Sequence, residues 1–126
     1  MVENKTKTDE EILFPEVTIG DLVIKPWTFG KLFEISALLE EVLDKMDAKS
    51  IKLEDIAPEG FMSYTTVARL FTIASPEVLK IVALTTEKTE EEIKELSMQD
   101  GIKAVVTIYN QNKEIIKNAL GLPGQT

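Results

Sequence analysis

Cysteine and histidine are both absent from this sequence of 126 residues. The chain therefore offers no disulfide, no thiol nucleophile, no Ser-His or Cys-His catalytic pair, and none of the usual ligands of zinc or haem. Carboxylates alone would have to carry any catalysis, and no glutamate is predicted to lie in the apolar surroundings that acid catalysis needs. We expect no catalytic residue, no metal site and no cofactor, and a protein that binds rather than reacts.

Positive charge is also scarce. Lysine and arginine number 14 against 22 acidic residues, which gives a net charge of −8, and Arg69 is the only arginine. Nucleic acids and anionic membranes attract basic faces, so neither is an expected partner. No stretch approaches the ~18 apolar residues of a membrane-spanning helix, and the polar start lacks a signal-peptide pattern. The expected location is the cytoplasm.

The length suits one domain. Residues 1–11 are polar and charged and predict a flexible N-terminal tail, residues 12–122 form the expected single domain, and residues 123–126 form a C-terminal tail. Because the β-branched residues at 16–25 flank Gly20-Asp21, this segment predicts a β-hairpin with a two-residue turn. A lone hairpin is marginal in water, so it is expected to pack on helices.

Capping signals and apolar periodicity predict about five helices after the hairpin. Thr28 is placed to cap a strongly amphipathic first helix, and Ser75-Pro76 has the pattern of a helix start. A capping box at Thr89 and a weaker version at Ser97 begin the last two helices. The predicted helices are 28–47, 59–74, 76–84, 90–96 and 98–120. The predicted fold class is mostly α, with an N-terminal β-hairpin packed on a helical bundle.

Several apolar residues allow two interpretations. Trp27 either plugs the hairpin against the bundle or anchors a partner, because tryptophan is enriched at binding hot spots. Phe29 and Phe33 allow the same two interpretations. The first helix either buries one stripe in the core or also presents Leu38, Leu43 and the aromatic residues to a partner.

Asn112 interrupts the apolar stripe of the last helix. It either lies buried with hydrogen bonds or sits at the edge of the stripe in contact with water. The polar run at 110–112 favours the edge. The candidate partner-binding residues are Trp27, Phe29, Phe33, Leu38, Leu43, Tyr109 and Asn112.

The order of these elements resembles the tail assembly chaperones of long-tailed phages and prophages. Residues 17–32, VTIGDLVIKPWTFGKL, are similar to the family's opening, in which a hairpin is followed by a basic residue, Pro, a large apolar residue, Thr, Phe, Gly and Leu. Residues 79–85, 89–96 and 101–110 are similar to its second half. The family often continues with an acid and aromatic residues, whereas this chain continues with QNKE at 111–114.

The resemblance implies a non-enzymatic protein in the cytoplasm of a bacterial host. It implies binding to the tape-measure protein, whose long apolar helices such chaperones keep from aggregating, and help in recruiting tail-tube subunits. Many families also make a longer, frameshifted form. Two other classes stay open: a minor structural protein of the tail or head that remains in the virion, and a small helical adaptor or regulator. A homo-oligomer is compatible with each of them.

Overall fold

The computed structural model describes residues 16–56 and 64–119. A two-stranded antiparallel hairpin precedes the helices, as predicted. The strands are β1 (Val17–Ile19) and β2 (Leu22–Ile24); the helices are α1 (Phe29–Ala48), the single turn α2 (Leu53–Ile56), α3 (Tyr64–Thr86), α4 (Glu90–Lys94) and α5 (Met98–Ala119). The mostly helical class with an N-terminal hairpin is therefore confirmed.

The hairpin has the two-residue turn that its sequence predicts. Ile19 pairs with Leu22 across Gly20 and Asp21. Only Gly20 of the two has a positive φ, at 59°, which is the pattern of a type II′ turn. The inward side chains Ile19, Leu22 and Ile24 are buried, because the hairpin packs on α3 and α5.

Local chemistry sets both ends of α1. The Thr28 hydroxyl accepts a hydrogen bond from the Lys31 N–H at 3.1 Å, so the predicted N-cap is confirmed. At the other end Ser50 adopts a positive φ of 57°, and the N–H of Ile51 donates back to the Met46 carbonyl at 2.9 Å. These bonds form a Schellman motif that satisfies the last carbonyls of the helix.

The predicted boundary between helices 59–74 and 76–84 is present as a kink, at which the two helical segments meet without an intervening loop. The described part of this stretch is one helix, α3, with a kink at Ala74, whose φ of −144° and ψ of 43° are not helical. Pro76 lacks an N–H and its ring crowds the preceding turn, so the chain bends there without separating. Instead of about five helices, the described residues contain four and the single turn α2.

The start of α4 has the predicted capping box at Thr89 and Glu92, and the Ser97 hydroxyl accepts from the Asp100 N–H before α5. Helix α3 is central, because α1, α2, α4, α5 and β2 all pack against it. The core therefore forms around α3, and α1 and α5 lie along it. The proposed tails 1–11 and 123–126, and the ends of the proposed domain 12–122, lie outside the described residues.

Candidate binding surface

Trp27 lies inside the protein, at the connection between β2 and α1. Its side chain is only 7% exposed, and its indole Nε1 donates a hydrogen bond to the Thr85 hydroxyl on α3 at 2.9 Å. The Thr85 hydroxyl in turn donates to the Ile81 carbonyl at 2.7 Å. Both the ring and its polar atom are thus engaged within the chain, which matches the interpretation of Trp27 as a plug between hairpin and bundle.

Asn112 holds the same connection from the side of α5. It is 1% exposed, so the expectation that it sits at the stripe's edge in contact with water is wrong. Its Oδ1 accepts from the Trp27 N–H at 2.9 Å, and its Nδ2 donates to the Ile108 carbonyl at 2.8 Å. Next to it, the Gln111 amide donates to the Ile24 carbonyl at 3.1 Å. The two amides therefore bond to backbone groups at the end of β2 and in the connection that follows it.

A kink in α5 accompanies these contacts. The backbone of Asn112 has φ −122° and ψ 16°, outside the helical region. Its side chain donates to the carbonyl four residues earlier, which is the acceptor that a regular helix would reserve for the backbone N–H. We attribute the kink to this substitution of a side-chain donor in the helical ladder. We call Trp27, Thr85, Gln111 and Asn112 together the connector joint.

Tyr109 is also buried. Its hydroxyl has no hydrogen-bond partner within the described part of the chain. Burial, with a smaller contribution from the charge of Glu114, raises the pKa of the Tyr109 phenol above its ordinary value. Tyr109 and Trp27 both line an apolar cavity of about 90 Å³ between α1, α3 and α5. This volume is well below the several hundred cubic ångströms of a typical ligand site, so the cavity suits an inserted side chain better than a cofactor.

Phe29 and Phe33 lie on the surface, in contrast. They are 77% and 74% exposed on the first two turns of α1. Their ring centroids are 5.1 Å apart and their planes meet at 74°, an edge-to-face arrangement. Large apolar side chains that stay in contact with water as a group are typical of interaction surfaces.

Leu38 and Leu43 are half-buried on α1. Leu38 packs against the core, whereas Leu43 lines the small cavity and also a second, larger space of about 490 Å³. We call this second space the α1–α5 groove. Its lining residues are Leu32, Ser36, Ala37, Leu39, Glu40, Leu43 and Ile115.

The candidate residues thus divide into two groups. Trp27, Tyr109 and Asn112 lie in the interior and Leu38 packs against it, whereas Phe29, Phe33 and the groove-lining Leu43 lie on the outer part of α1. Of the residues that line the groove, only Leu43 is among the predicted candidates, and the others, Ala37 and Ile115 included, were not predicted from the sequence. A signal for Ala37 was present, because positions 29, 33 and 37 recur every four residues beside the stripe that faces the core.

The charges along α1 are mostly unbalanced acids. Lys31 donates to the Leu84 carbonyl at 3.0 Å, and Lys45 pairs with the buried carboxylate of Glu77 at 2.8 Å. This hydrogen bond from Lys45 lowers the pKa of Glu77, against the opposing effect of burial. The exposed acids of α1 are Glu34, Glu40, Glu41, Asp44 and Asp47. Lys45 is engaged with α3, and Lys31 offsets only Glu34, at 3.7 Å, so the outer face of α1 stays negative.

A further groove of about 670 Å³ lies between α3, α4 and α5. Met98, 81% exposed, and the partly exposed Phe71 are among its lining residues. Among the described residues, no three carboxylates come together as a metal site would require. Of the helices at 16–56 and 64–119, none has the length and apolar character needed to cross a bilayer.

Neither a known protein family, nor a curated protein, nor a solved structure matches this chain.

Proposed function

We propose that this protein is a tail assembly chaperone of a long-tailed phage or prophage. In this proposal it works in the cytoplasm of the bacterial host, has no enzymatic activity, binds the tape-measure protein and prevents its aggregation. It also helps recruit tail-tube subunits to the complex. The sequence resemblance at 17–32 and in the second half of the chain suggests the family.

One structural observation supports the proposal most directly: the side chains of Phe29 and Phe33 are exposed to solvent beside an apolar groove. An exposed pair of aromatic side chains adds no burial of apolar surface to the stability of an isolated chain. A chaperone, in contrast, needs exposed apolar surface to bind an apolar client. The net charge of −8 supports the same role, because a strongly charged chaperone keeps its complex with an aggregating chain dispersed.

Co-expression tests this function. The tape-measure protein encoded in the same genome would be produced with and without this chain, and its soluble fraction measured after centrifugation. We expect the tape-measure protein to move from the pellet to the supernatant and to be retained on the tagged chain, with tail-tube protein joining the complex. A tape-measure protein that stays in the pellet at an excess of this chain would contradict the proposal.

Mass spectrometry of purified particles separates the alternative within the same system. A chaperone is absent from the finished particle, or present only in traces. Stoichiometric retention would instead indicate a minor structural protein of the tail or head. A genome with no tape-measure gene near this one would favour a small adaptor or regulator.

A further inference from the structure

We propose that the outer face of α1 binds one amphipathic helix of another protein, and that this helix carries lysine or arginine along the edge that borders α1. The proposed binding face consists of Phe29, Phe33 and Ala37 together with the adjoining α1–α5 groove. This inference rests on the proposed function and adds to it the surface used and the chemistry of the client segment.

The apolar part of the binding face is continuous. Phe29, Phe33 and Ala37 follow one another at four-residue spacing, so they lie in one row along α1. Ala37 also lines the groove, whose far end is formed by Leu43 and by Ile115 of α5. From Phe29 to Leu43 the helix rises by roughly 21 Å, which is the length of about four turns. A partner helix of this length can place anchors at the usual three- and four-residue spacing against the row.

The negative charge along α1 favours a partner helix with basic residues. Glu40 lines the groove itself, and Glu34, Glu41 and Asp44 are exposed on the same helix. Lys45 pairs with Glu77 of α3. Lys31 bonds to the Leu84 carbonyl of α3 and lies 3.7 Å from Glu34, so it offsets Glu34 but leaves the charges of Glu40 and Asp44 along this edge. A client helix with lysine or arginine along this edge gains attraction and correct register, and an acidic edge there would be repelled.

The same charges argue against a second copy of this chain as the occupant. Two α1 helices packed through this face would set the carboxylates of one copy against those of the other, in a protein that already carries −8. An anionic membrane surface is disfavoured for the same reason. The observations therefore favour a different chain with basic borders over either of these occupants.

Two synthetic peptides of about 15 residues form the test. Both carry the same leucine and alanine stripe; one has lysines along one edge, and the other has glutamates at the same positions. Binding to the full-length chain would be measured by fluorescence anisotropy at low salt and at about 0.5 M salt. We expect the lysine peptide to bind at least about tenfold more tightly at low salt, with most of this advantage lost at high salt.

Three variants locate the binding face. Phe29→Ser with Phe33→Ser removes both aromatic anchors, and Ala37→Lys places a cation in the groove. Either change is expected to weaken the lysine peptide by about tenfold or more. Met98→Ser is the matched control, because it removes an equally exposed apolar side chain from the groove between α3, α4 and α5. The affinity of this variant for the lysine peptide should stay within about twofold of the wild-type value. Circular dichroism verifies that each variant is folded.

Each contrary result has a definite meaning. Equal binding of the two peptides, no binding of the lysine peptide, or loss only in Met98→Ser would overturn the inference. So would a wild-type dimer, detected by sedimentation, that becomes monomeric in the double Phe variant, because the occupant would then be a second copy. If the double Phe variant still solubilises the tape-measure protein, the chaperone function stands and this surface fails. If the peptide results hold but the tape-measure protein is not solubilised, the surface stands and the function fails.

Discussion

Trp27 and Phe29 are two residues apart, yet they lie in opposite environments. Trp27 is enclosed by the hairpin, α3 and α5, and both of its N–H groups have partners there, Thr85 and Asn112. Phe29 is on the first turn of α1, and its ring packs edge-to-face with that of Phe33. The chain passes between these environments at Thr28, the residue that caps α1.

The difference shows that aromatic character alone does not decide which side chain serves the fold and which is free for a partner. Trp27 is fixed by polar partners at defined positions as well as by its bulk. The phenylalanines have no polar group to satisfy, so nothing but another apolar surface can hold them. The connector joint therefore belongs to stability, and the phenylalanine pair is available for binding.

The largest effect is expected from Trp27→Ala. The loss of a buried tryptophan leaves a cavity and should lower the free energy of unfolding by about 3–5 kcal/mol. For a protein of this size the midpoint temperature should fall by ten degrees or more. Urea unfolding of the purified variant checks this, with Trp27→Phe as the milder companion. If the free energy of unfolding changed by less than ~0.5 kcal/mol, Trp27 would contribute no more to stability than we expect of the exposed Phe29 and Phe33.

The next largest effect is expected at Asn112, which also belongs to the connector joint. Asn112→Ala leaves the buried Trp27 N–H without its acceptor and should cost about 1–3 kcal/mol. Asn110→Ala is the matched control on the same helix, because Asn110 Oδ1 is buried but has no hydrogen-bond partner in the described part of the chain. Equal losses of stability in the two variants would mean that the amide of Asn112 contributes nothing specific.

A smaller effect with a pH signature is expected at the inner edge of α1. The pKa of Glu77 is lowered in the folded protein, so the Lys45–Glu77 pair stabilises the fold above the unfolded glutamate pKa of about 4.3 and loses this effect as the pH falls through the folded value. Glu77→Gln should therefore cost about 1 kcal/mol at pH 7 and less at about pH 3.

Urea unfolding of wild type and Glu77→Gln at both pH values measures this difference. Glu34→Gln serves as the control, because Glu34 is exposed and its oxygen lies 3.7 Å from Lys31. It should change stability by no more than ~0.5 kcal/mol at either pH. A cost for Glu77→Gln that does not depend on pH would contradict the assigned ion pair.

The smallest change in stability is expected where the largest change in binding is proposed. Phe29→Ser combined with Phe33→Ser alters exposed side chains and should shift the free energy of unfolding by at most ~0.5 kcal/mol per site. The same urea experiment measures it. A loss of stability comparable to that of Trp27→Ala would show that Phe29 and Phe33 contribute to folding as Trp27 does, which would contradict the contrast between them.

Local chemistry made part of this structure predictable. The turn at Gly20-Asp21 needs a positive φ, and the hydroxyls of Thr28, Thr89 and Ser97 reach the free N–H groups of the turn that follows them. Each of these signals acts over two or three residues. The hairpin and the helix starts could therefore be predicted from neighbouring residues alone.

Other features depend on residues far apart in the chain. Asn112 meets Trp27 across 85 positions, and Trp27 meets Thr85 across 58. No local pattern distinguishes an amide that satisfies a distant N–H from one that touches water, which is why the expected position of Asn112 was wrong. The kink at Ala74 is different, because Pro76 predicts an interruption from its own neighbourhood and the backbone of Ala74 leaves the helical region there.

The amino-acid sequence by itself determined the helical class, the hairpin, the caps and the acidic surface, because these follow from short-range sterics, hydrogen bonding and charge. Tertiary structure alone decided which aromatic residues are enclosed, since enclosure depends on where α3 and α5 lie relative to the connection before α1. It also created the α1–α5 groove. A groove belongs to the space between helices, and no single helix contains it.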